Sequence, residues 1–317
     1  AFKSNSNPDK INLGVGVYQD SSGQTPILDS VKTAEERVLA KEKSKSYLSI
    51  EGSPEYGIAV RKLLLGPEHE ILSCERAVTV QSPGGTGALR IAGDFLARHY
   101  GDRPIWLSEP TWANHPKIFQ AAGLHVETYP YFDAETNGLN ESALLTALAK
   151  IPEGHTVLLH GCCHNPTGAN LSEEQEDQII AALAANGAIP FVDIAYQGFG
   201  DGLEGDARFT RKIASQLPEC LIAASCSKNF GIYRERTGIL MAISPNAALK
   251  AVTQGNMAFL NRQNFSFPPD HGARLVTMIL ADTGLRSAWA SELEDTRLSM
   301  LNLRQQLADE LRQRTNS

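Results

Sequence analysis

The feature that most restricts what this chain can fold into is a recurring alternation. Short, mostly apolar runs at residues 77–81, 104–108, 126–129, 156–160, 189–193, 220–224 and 238–243 are separated by loops and by segments with helical spacing. A strand buried on both faces reads as a continuous apolar run, not as alternating apolar and polar residues. Strands alternating with helices build an α/β fold around a mainly parallel sheet flanked by helices. Helices are predicted over about 30–43, 54–65, 140–150, 172–186, 246–260, 272–281 and 284–314, with another opening at the glycine-rich turn 82–90. Ser172 and Gln175 have the spacing of a capping box at the start of one of them. Residues 109–115 and 262–271 read as loops. Open α/β sheets bind ligands just beyond the carboxyl ends of their strands, so the residues following each run are the candidates for function.

Composition narrows the class. With 317 residues the length suits two domains, and 42% hydrophobic with 21% charged residues is ordinary for a soluble globular protein. A formal net charge of -7 without a long basic run argues against nucleic acid or an anionic membrane as partner. No apolar run is long enough to span a bilayer, and residues 1–5 lack a signal-peptide core. Five cysteines, an odd number in mostly apolar or motif contexts, do not read as a disulfide framework. A reducing cytoplasm is the expected location.

The most informative strand end is the one at 220–224, which runs into Ser225-Cys226-Ser227-Lys228, with Arg236 shortly after. Two hydroxyls and a guanidinium suit the oxygens of a phosphate. A partly buried amine has its charged form disfavoured and can attack a carbonyl. A lysine beside a phosphate cradle points to pyridoxal 5'-phosphate. Other strand ends supply what that cofactor needs. Gly85 and Thr86 open a helix whose free N–H groups attract anions. Asp193, an acid at a buried strand end, suits a pyridinium nitrogen and keeps the ring an electron sink. Tyr196 and Asn165 can donate to a ring oxygen, Trp112 can stack on a planar ligand, and Gly16 lies where a ligand can approach the backbone.

Two patterns compete with this reading. Residues 200–205 match the spacing G-x-G-x-x-G, but they do not directly follow the strand, and Asp201, Glu204 and Asp206 would repel a pyrophosphate. His160, Cys162, Cys163 and His164 crowd together, yet the paired C-x₂-C spacing of zinc sites is absent. Packed cysteines and hydrogen-bonded histidines are expected there, and no metal.

Taken together, Leu13-Gly14-Val15-Gly16-Val17-Tyr18, Gly84-Gly85-Thr86-Gly87-Ala88-Leu89, His160 to Gly168, Asp193 to Phe199, Ser225 to Phe230 and Asn264-Phe265-Ser266-Phe267-Pro268-Pro269 resemble the aspartate and aromatic-amino-acid aminotransferases of fold type I. The likeness runs almost from end to end. It implies Lys228 as the Schiff-base lysine and proton carrier, Asp193 on the pyridine nitrogen, and Tyr196 and Asn165 on the ring oxygen. Trp112 would stack on the ring, with Gly85, Thr86, Ser225, Ser227 and Arg236 on the phosphate. Gly16, Trp112 and Asn165 would also meet substrate. It further implies a homodimer with shared sites, Tyr47 reaching the neighbour's phosphate and Arg262 the neighbour's substrate carboxylate.

The implied reaction is ping-pong transamination between aspartate or aromatic amino acids and 2-oxoglutarate. The implied architecture is a large cofactor domain over about 26–295, with 1–25 and 296–317 belonging to a smaller one. The family's chains are longer at both ends, and Glu176 and Thr237 depart from its pattern. The family's arginine for the substrate α-carboxylate lies beyond Ser317. The sequence therefore also raises the expectation of a chain that binds cofactor, turns over poorly, and exposes Leu298, Leu301 and Leu307. A nicotinamide oxidoreductase, resting on residues 200–205, is the rival class.

Overall fold

The computed structural model describes residues 2–10, 14 and 16–315. Of the glycine-bearing segment near the amino terminus, residues 11–13 and 15 lie outside that range. A short 3₁₀ turn, Phe2–Ser4, is followed by α1 (Asp29–Lys41), α2 (Pro54–Leu65), the single-turn α3 (Glu70–Ser73), β1 (Ala77–Pro83) and α4 (Gly84–Tyr100). Next come β2 (Ile105–Glu109), α5 (His115–Ala121), β3 (Val126–Pro130), the hairpin β4 (Phe132–Asp133) and β5 (Gly138–Leu139), and α6 (Glu141–Leu148). The rest is β6 (Thr156–His160), α7 (Glu173–Asn186), β7 (Ile189–Ile194), α8 (Gly202–Gln216), β8 (Cys220–Ser225), β9 (Thr237–Ile243), α9 (Lys250–Asn264), α10 (His271–Ala281) and α11 (Thr283–Thr315).

The seven-stranded sheet has the order β1-β9-β8-β7-β6-β2-β3. Pairing is parallel from β8 to β3, and β9 alone runs against its two neighbours. The apolar runs are continuous because alternate residues feed two different cores. Val192 and Ile194 of β7, Ile222 and Ala224 of β8 and Ile239 and Met241 of β9 pack on one face with α1, α2, α7, α8, α10 and α11. Phe191, Leu221, Ala223, Leu240 and Ala242 pack on the other with α4, α5 and α9. Register then aligns the functional strand ends: His160 lies beside Asp193, Asp193 beside Ala223, and Ser225 beside Gly238.

Several helix ends carry recognisable chemistry. Ser172 and Gln175 form the reciprocal capping box of α7, and Gly187 closes the helix at φ +69°. The start of α1 has no cap of its own and is capped from afar. Glu292 of α11 accepts from the backbone of Asp29 (2.6 Å) and Ser30, and also holds the Ser30 hydroxyl, placing a carboxylate at the positive end of that helix. Trp289, one turn earlier on α11, donates from Nε1 to Asn229 O (2.7 Å) and stacks on Phe230 at 4.4 Å. The C-terminal helix thus pins the segment just after Lys228.

The structure differs from the sequence reading in several places that bear on the site. Residues 115–121 form α5, directly after the loop expected over 109–115 and where no helix was expected. Residues 202–216, for which no helix was expected, form α8, and Gly202 opens it at φ +84°. The expected loop from 262 starts later, because α9 continues to Asn264, so Arg262 lies in its last turn. Residues 247–249 are a separate 3₁₀ turn ahead of α9. Position 295 falls inside the unbroken helix α11, whose far part exposes Leu298, Leu301 and Leu307 as expected.

Candidate active site

One cavity of about 350 Å³ opens at the carboxyl ends of the parallel strands, within the range of small-ligand sites. It is lined by Gly16, Gly85, Thr86, Trp112, Asn165, Asp193, Tyr196, Ser225, Ser227, Lys228 and Arg236. Tyr47 and Arg262 are not among its walls. They stand together elsewhere: Tyr47, 84% exposed, stacks on Phe267 at 4.7 Å, and the Arg262 guanidinium lies 5.1 Å from the same ring.

At one end of the cavity an anion cradle forms where β1 turns into α4. Pro83 provides no side-chain cap, so the first N–H groups of α4 have no capping partner there. Gly84 takes φ +74°, and a Cβ on it would lie 2.5 Å from Arg236 Nη2; on Gly85 it would lie 3.1 Å from the Ser225 Cβ. These glycines let the helix start, the serine loop and the guanidinium converge. Arg236, itself left-handed at φ +53°, donates to Ser227 Oγ (3.4 Å) and Tyr233 O (3.1 Å), while Ser227 N donates to Ser225 Oγ (3.2 Å).

Lys228 Nζ sits 4.4 Å from the centroid of the Tyr196 ring. Its pKa is lowered first by burial; Asp193 opposes the shift and Arg236 adds to it. Burial, the cause expected from the sequence, ranks first, and the cationic Arg236 is a lesser contributor. The Tyr196 hydroxyl receives a hydrogen bond from Asn165 Nδ2 (3.4 Å), and burial raises its pKa while that bond lowers it. Tyr233 also lines the cavity, and its hydroxyl accepts from Tyr18 N (3.2 Å).

The sequence reading missed the partner of the acid. Asp193 Oδ2 lies 2.9 Å from Nε2 of His115, which is fully buried in the first turn of α5. A carboxylate only accepts, so that nitrogen carries the proton, and a neutral ring then accepts from Thr111 at Nδ1 (2.8 Å). Trp112 meets the same ring edge-on at 5.2 Å. Asn114 followed by Pro116 and the apolar pair Ile118 and Phe119 was the available signal for this helix.

The expectation of hydrogen-bonded histidines holds for one of the pair. His164 contacts Ser108 Oγ (3.0 Å) and Thr167 Oγ1 (2.8 Å), whereas neither ring nitrogen of His160 has a hydrogen-bond partner among the described residues. Burial pushes His160 down to about 3 and His164 down to about 4. Cys162, in the cavity wall, has its thiol pKa raised by Cys163 and by burial. The glycine pattern 200–205 is taken up internally. The Asp206 carboxylate accepts from the N–H groups of Gly198, Gly200 and Asp201 at 2.8–2.9 Å, where a pyrophosphate would need them.

The donor set fits pyridoxal phosphate. It has a cradle for a dianion, a buried amine for the aldehyde, an acid for the ring nitrogen and a tyrosine–asparagine pair for the ring oxygen. Fold and cavity together define the fold type I class of enzymes built around that cofactor.

Comparison with known proteins carries this to the family. The model for aminotransferase class I and II matches residues 8–316, and the chain belongs to that family, whose members depend on pyridoxal phosphate. It is 51% identical over 316 residues to the aromatic-amino-acid aminotransferase of Paracoccus denitrificans, covering 100% of this chain and 79% of that one. It is 44% identical over 315 residues to the aspartate aminotransferase of Escherichia coli K12, covering 99% and 79%. A solved aromatic-amino-acid aminotransferase from Burkholderia pseudomallei, covalently bound to pyridoxal phosphate, superposes with a TM-score of 0.96 at 39% identity, over 98% of this chain and 78% of that one. The protein is an aminotransferase acting between amino acids and 2-oxo acids.

Proposed function

We propose that this aminotransferase works on aspartate and aromatic amino acids with 2-oxoglutarate, and that Lys228 is its central residue. The observation that carries the reading is the placement of Lys228 Nζ, its charge disfavoured by burial, in one cavity with the Arg236–Ser227 cradle and the Asp193 carboxylate. When bound, pyridoxal phosphate supplies an aldehyde for an amine and a ring that takes up the electron pair left when a Cα proton departs. The Gly85 and Thr86 amides, Ser225, Ser227 and Arg236 hold the phosphate. Asp193, steadied by His115, accepts from the protonated ring nitrogen. Asn165 and Tyr196 donate to the ring oxygen, and Trp112 covers the ring. Lys228 Nζ, neutral at the moment of transfer, would take the proton from the substrate Cα and carry it until it is given back.

The same reading makes the enzyme a homodimer with shared sites. Tyr47 and Arg262 are exposed or partly so and lie outside this chain's own cavity, which suits residues that complete a neighbour's site. Arg262 then pairs with the substrate's side-chain carboxylate, and Gly16, Trp112 and Asn165 face the rest of the substrate. We assign residues 26–295 to the large domain, with the two ends joining a smaller one. A reducing cytoplasm is the location we propose, supported by cysteines that are all free. Among the described residues no helix is long and apolar enough to cross a membrane. A nicotinamide oxidoreductase is not favoured, because Asp206 occupies the glycine loop on which it rested, and neither is an impaired, merely cofactor-binding form.

The test is a pair of half-reactions on the cofactor-loaded protein. Aspartate and phenylalanine should each bleach the bound cofactor and release one equivalent of 2-oxo acid per site, with 2-oxoglutarate restoring the starting spectrum. Release from neither amino acid would overturn the substrate assignment.

A further inference from the structure

Against the wall of the cavity a second group of side chains meets that transamination does not use. Cys162 and Cys163 are adjacent in the loop after β6, and Asp206 comes from α8. One ligand atom of each, two thiol sulfurs and a carboxylate oxygen, all lie within 4.8 Å of one another. Adjacent side chains on extended backbone point to opposite sides. Cys163 breaks that alternation with a φ of +49°, a left-handed conformation uncommon outside glycine, and both sulfurs come to the same side.

The carboxylate is held in place independently. Asp206 Oδ2 accepts from Gly198 N (2.8 Å) and Gly200 N (2.9 Å), and Oδ1 from Asp201 N (2.8 Å). A carboxylate has about four lone-pair positions, so Oδ1 retains one. A Cβ on Gly200 would lie 2.6 Å from Asp206 Oδ1 and 3.0 Å from Cys163 Sγ. Glycine therefore keeps a side chain out of the space that these two ligand atoms border.

We propose that Cys162, Cys163 and Asp206 form a site for one thiophilic divalent cation, of the zinc or cadmium kind, behind the cofactor cavity. Two thiolates with one carboxylate select such ions over magnesium or calcium. Three protein ligands, at about 2.3 Å for sulfur and about 2.0–2.2 Å for oxygen, would leave the fourth position of a tetrahedral ion to water. Binding exchanges the two thiol protons, released to solvent, for the metal–sulfur bonds, and nothing is oxidised or reduced. Arg297, already ion-paired with Glu294, donates to Gly200 O at 3.0 Å and so borders the same loop. The cation would tie the loop carrying Asn165 to the loop that begins at Tyr196. The pairwise C-x₂-C spacing is absent because the third ligand comes from a helix that the sequence reading did not anticipate.

The test uses the full cofactor-loaded chain, reduced with a phosphine and then freed of it, and titrated with cadmium. The thiolate-to-cadmium charge-transfer absorbance gives the ligation, and equilibrium dialysis counts the metal. The inference predicts one cadmium per chain with a charge-transfer band, and cadmium protection of Cys162 and Cys163 against iodoacetamide in a peptide map. Cys163→Ser should weaken binding by roughly 100-fold or more, while Cys74→Ser, which removes the exposed thiol, should change nothing. No band in the parent protein at stoichiometric cadmium overturns the proposal whatever the variants do. An unchanged affinity in Cys163→Ser, or loss of the band in Cys74→Ser, overturns it as well.

Discussion

His115 and Asp193, on α5 and β7, are joined by a part-buried hydrogen bond of 2.9 Å, and Thr111 fixes the far side of the same imidazole at 2.8 Å. The bond occupies one carboxylate oxygen of a residue that also lines the ligand cavity. It also sets the ring tautomer, so the acid receives a proton-bearing nitrogen and stays a pure acceptor.

Removing the imidazole leaves a carboxylate oxygen buried without its donor. A hydrogen bond to a charged group contributes about 1.5–3 kcal/mol, or roughly 10–100-fold. His115→Leu should therefore lower kcat by that order and weaken pyridoxal phosphate binding less, since the phosphate cradle is untouched. Thr111→Val should follow in the same direction with a smaller loss. Steady-state kinetics beside a cofactor titration separates the two effects; a loss of cofactor affinity as large as the loss in kcat would contradict the role.

Lys228 gives a stability effect with a defined sign. Its pKa in the fold is below the ordinary 10.5, chiefly through burial, so between the two values the unfolded chain binds more protons than the folded one. Stability then rises with pH through that window, and at lower pH the lysine is a cost to the fold. Lys228→Met should raise the melting temperature of the cofactor-free protein at pH 7, and the gain should shrink as pH approaches about 10.5. A melting temperature that is lower in the variant at pH 7 would show that the amine is not a burden to the apo fold.

Two histidines predict acid sensitivity. His160 and His164 are held to about 3 and about 4, against an ordinary 6.5, by burial. They stay neutral in the fold while the unfolded chain protonates. Stability is therefore complete above pH 6.5 and declines below it, by up to about 1.4 kcal/mol per pH unit for each group. Melting curves from pH 7.5 to 4.5 should show this decline, and His160→Gln should flatten it. An equal slope in parent and variant would assign the acid sensitivity to other groups.

How far the site was legible depended on whether its residues sit at strand ends or are delivered by helices. Asp193, Asn165, Ser225, Lys228 and Arg236 directly follow or flank apolar runs, and parallel register alone brings such positions together. His115 reaches Asp193 from the first turn of a helix that the loop reading of residues 109–115 stopped short of. Asp206 went unseen as an anchor because residues 200–205 were weighed only as a glycine motif. The helical spacing of Ala207, Thr210, Ile213, Ala214 and Leu217 was there to be read. The stacking of Tyr47 on Phe267 depends on tertiary packing that no local pattern encodes.

Specificity is tested at Arg262. Its guanidinium donates to Ser266 Oγ (2.8 Å) beside the Phe267 ring. If it serves a neighbour's substrate carboxylate, Arg262→Asp should depress kcat/KM for aspartate by about 3–5 kcal/mol and leave phenylalanine much less affected. Equal losses on the two substrates would move the specificity role away from this residue.

The most direct test of the whole account is to locate the covalent attachment. The protein is incubated with pyridoxal phosphate, reduced with borohydride and mapped by peptide mass spectrometry. The account predicts one stable pyridoxyl label per chain, on Lys228, with no label and no transamination in Lys228→Ala. A label confined to another lysine, or a Lys228→Ala variant that still transaminates normally, would contradict it.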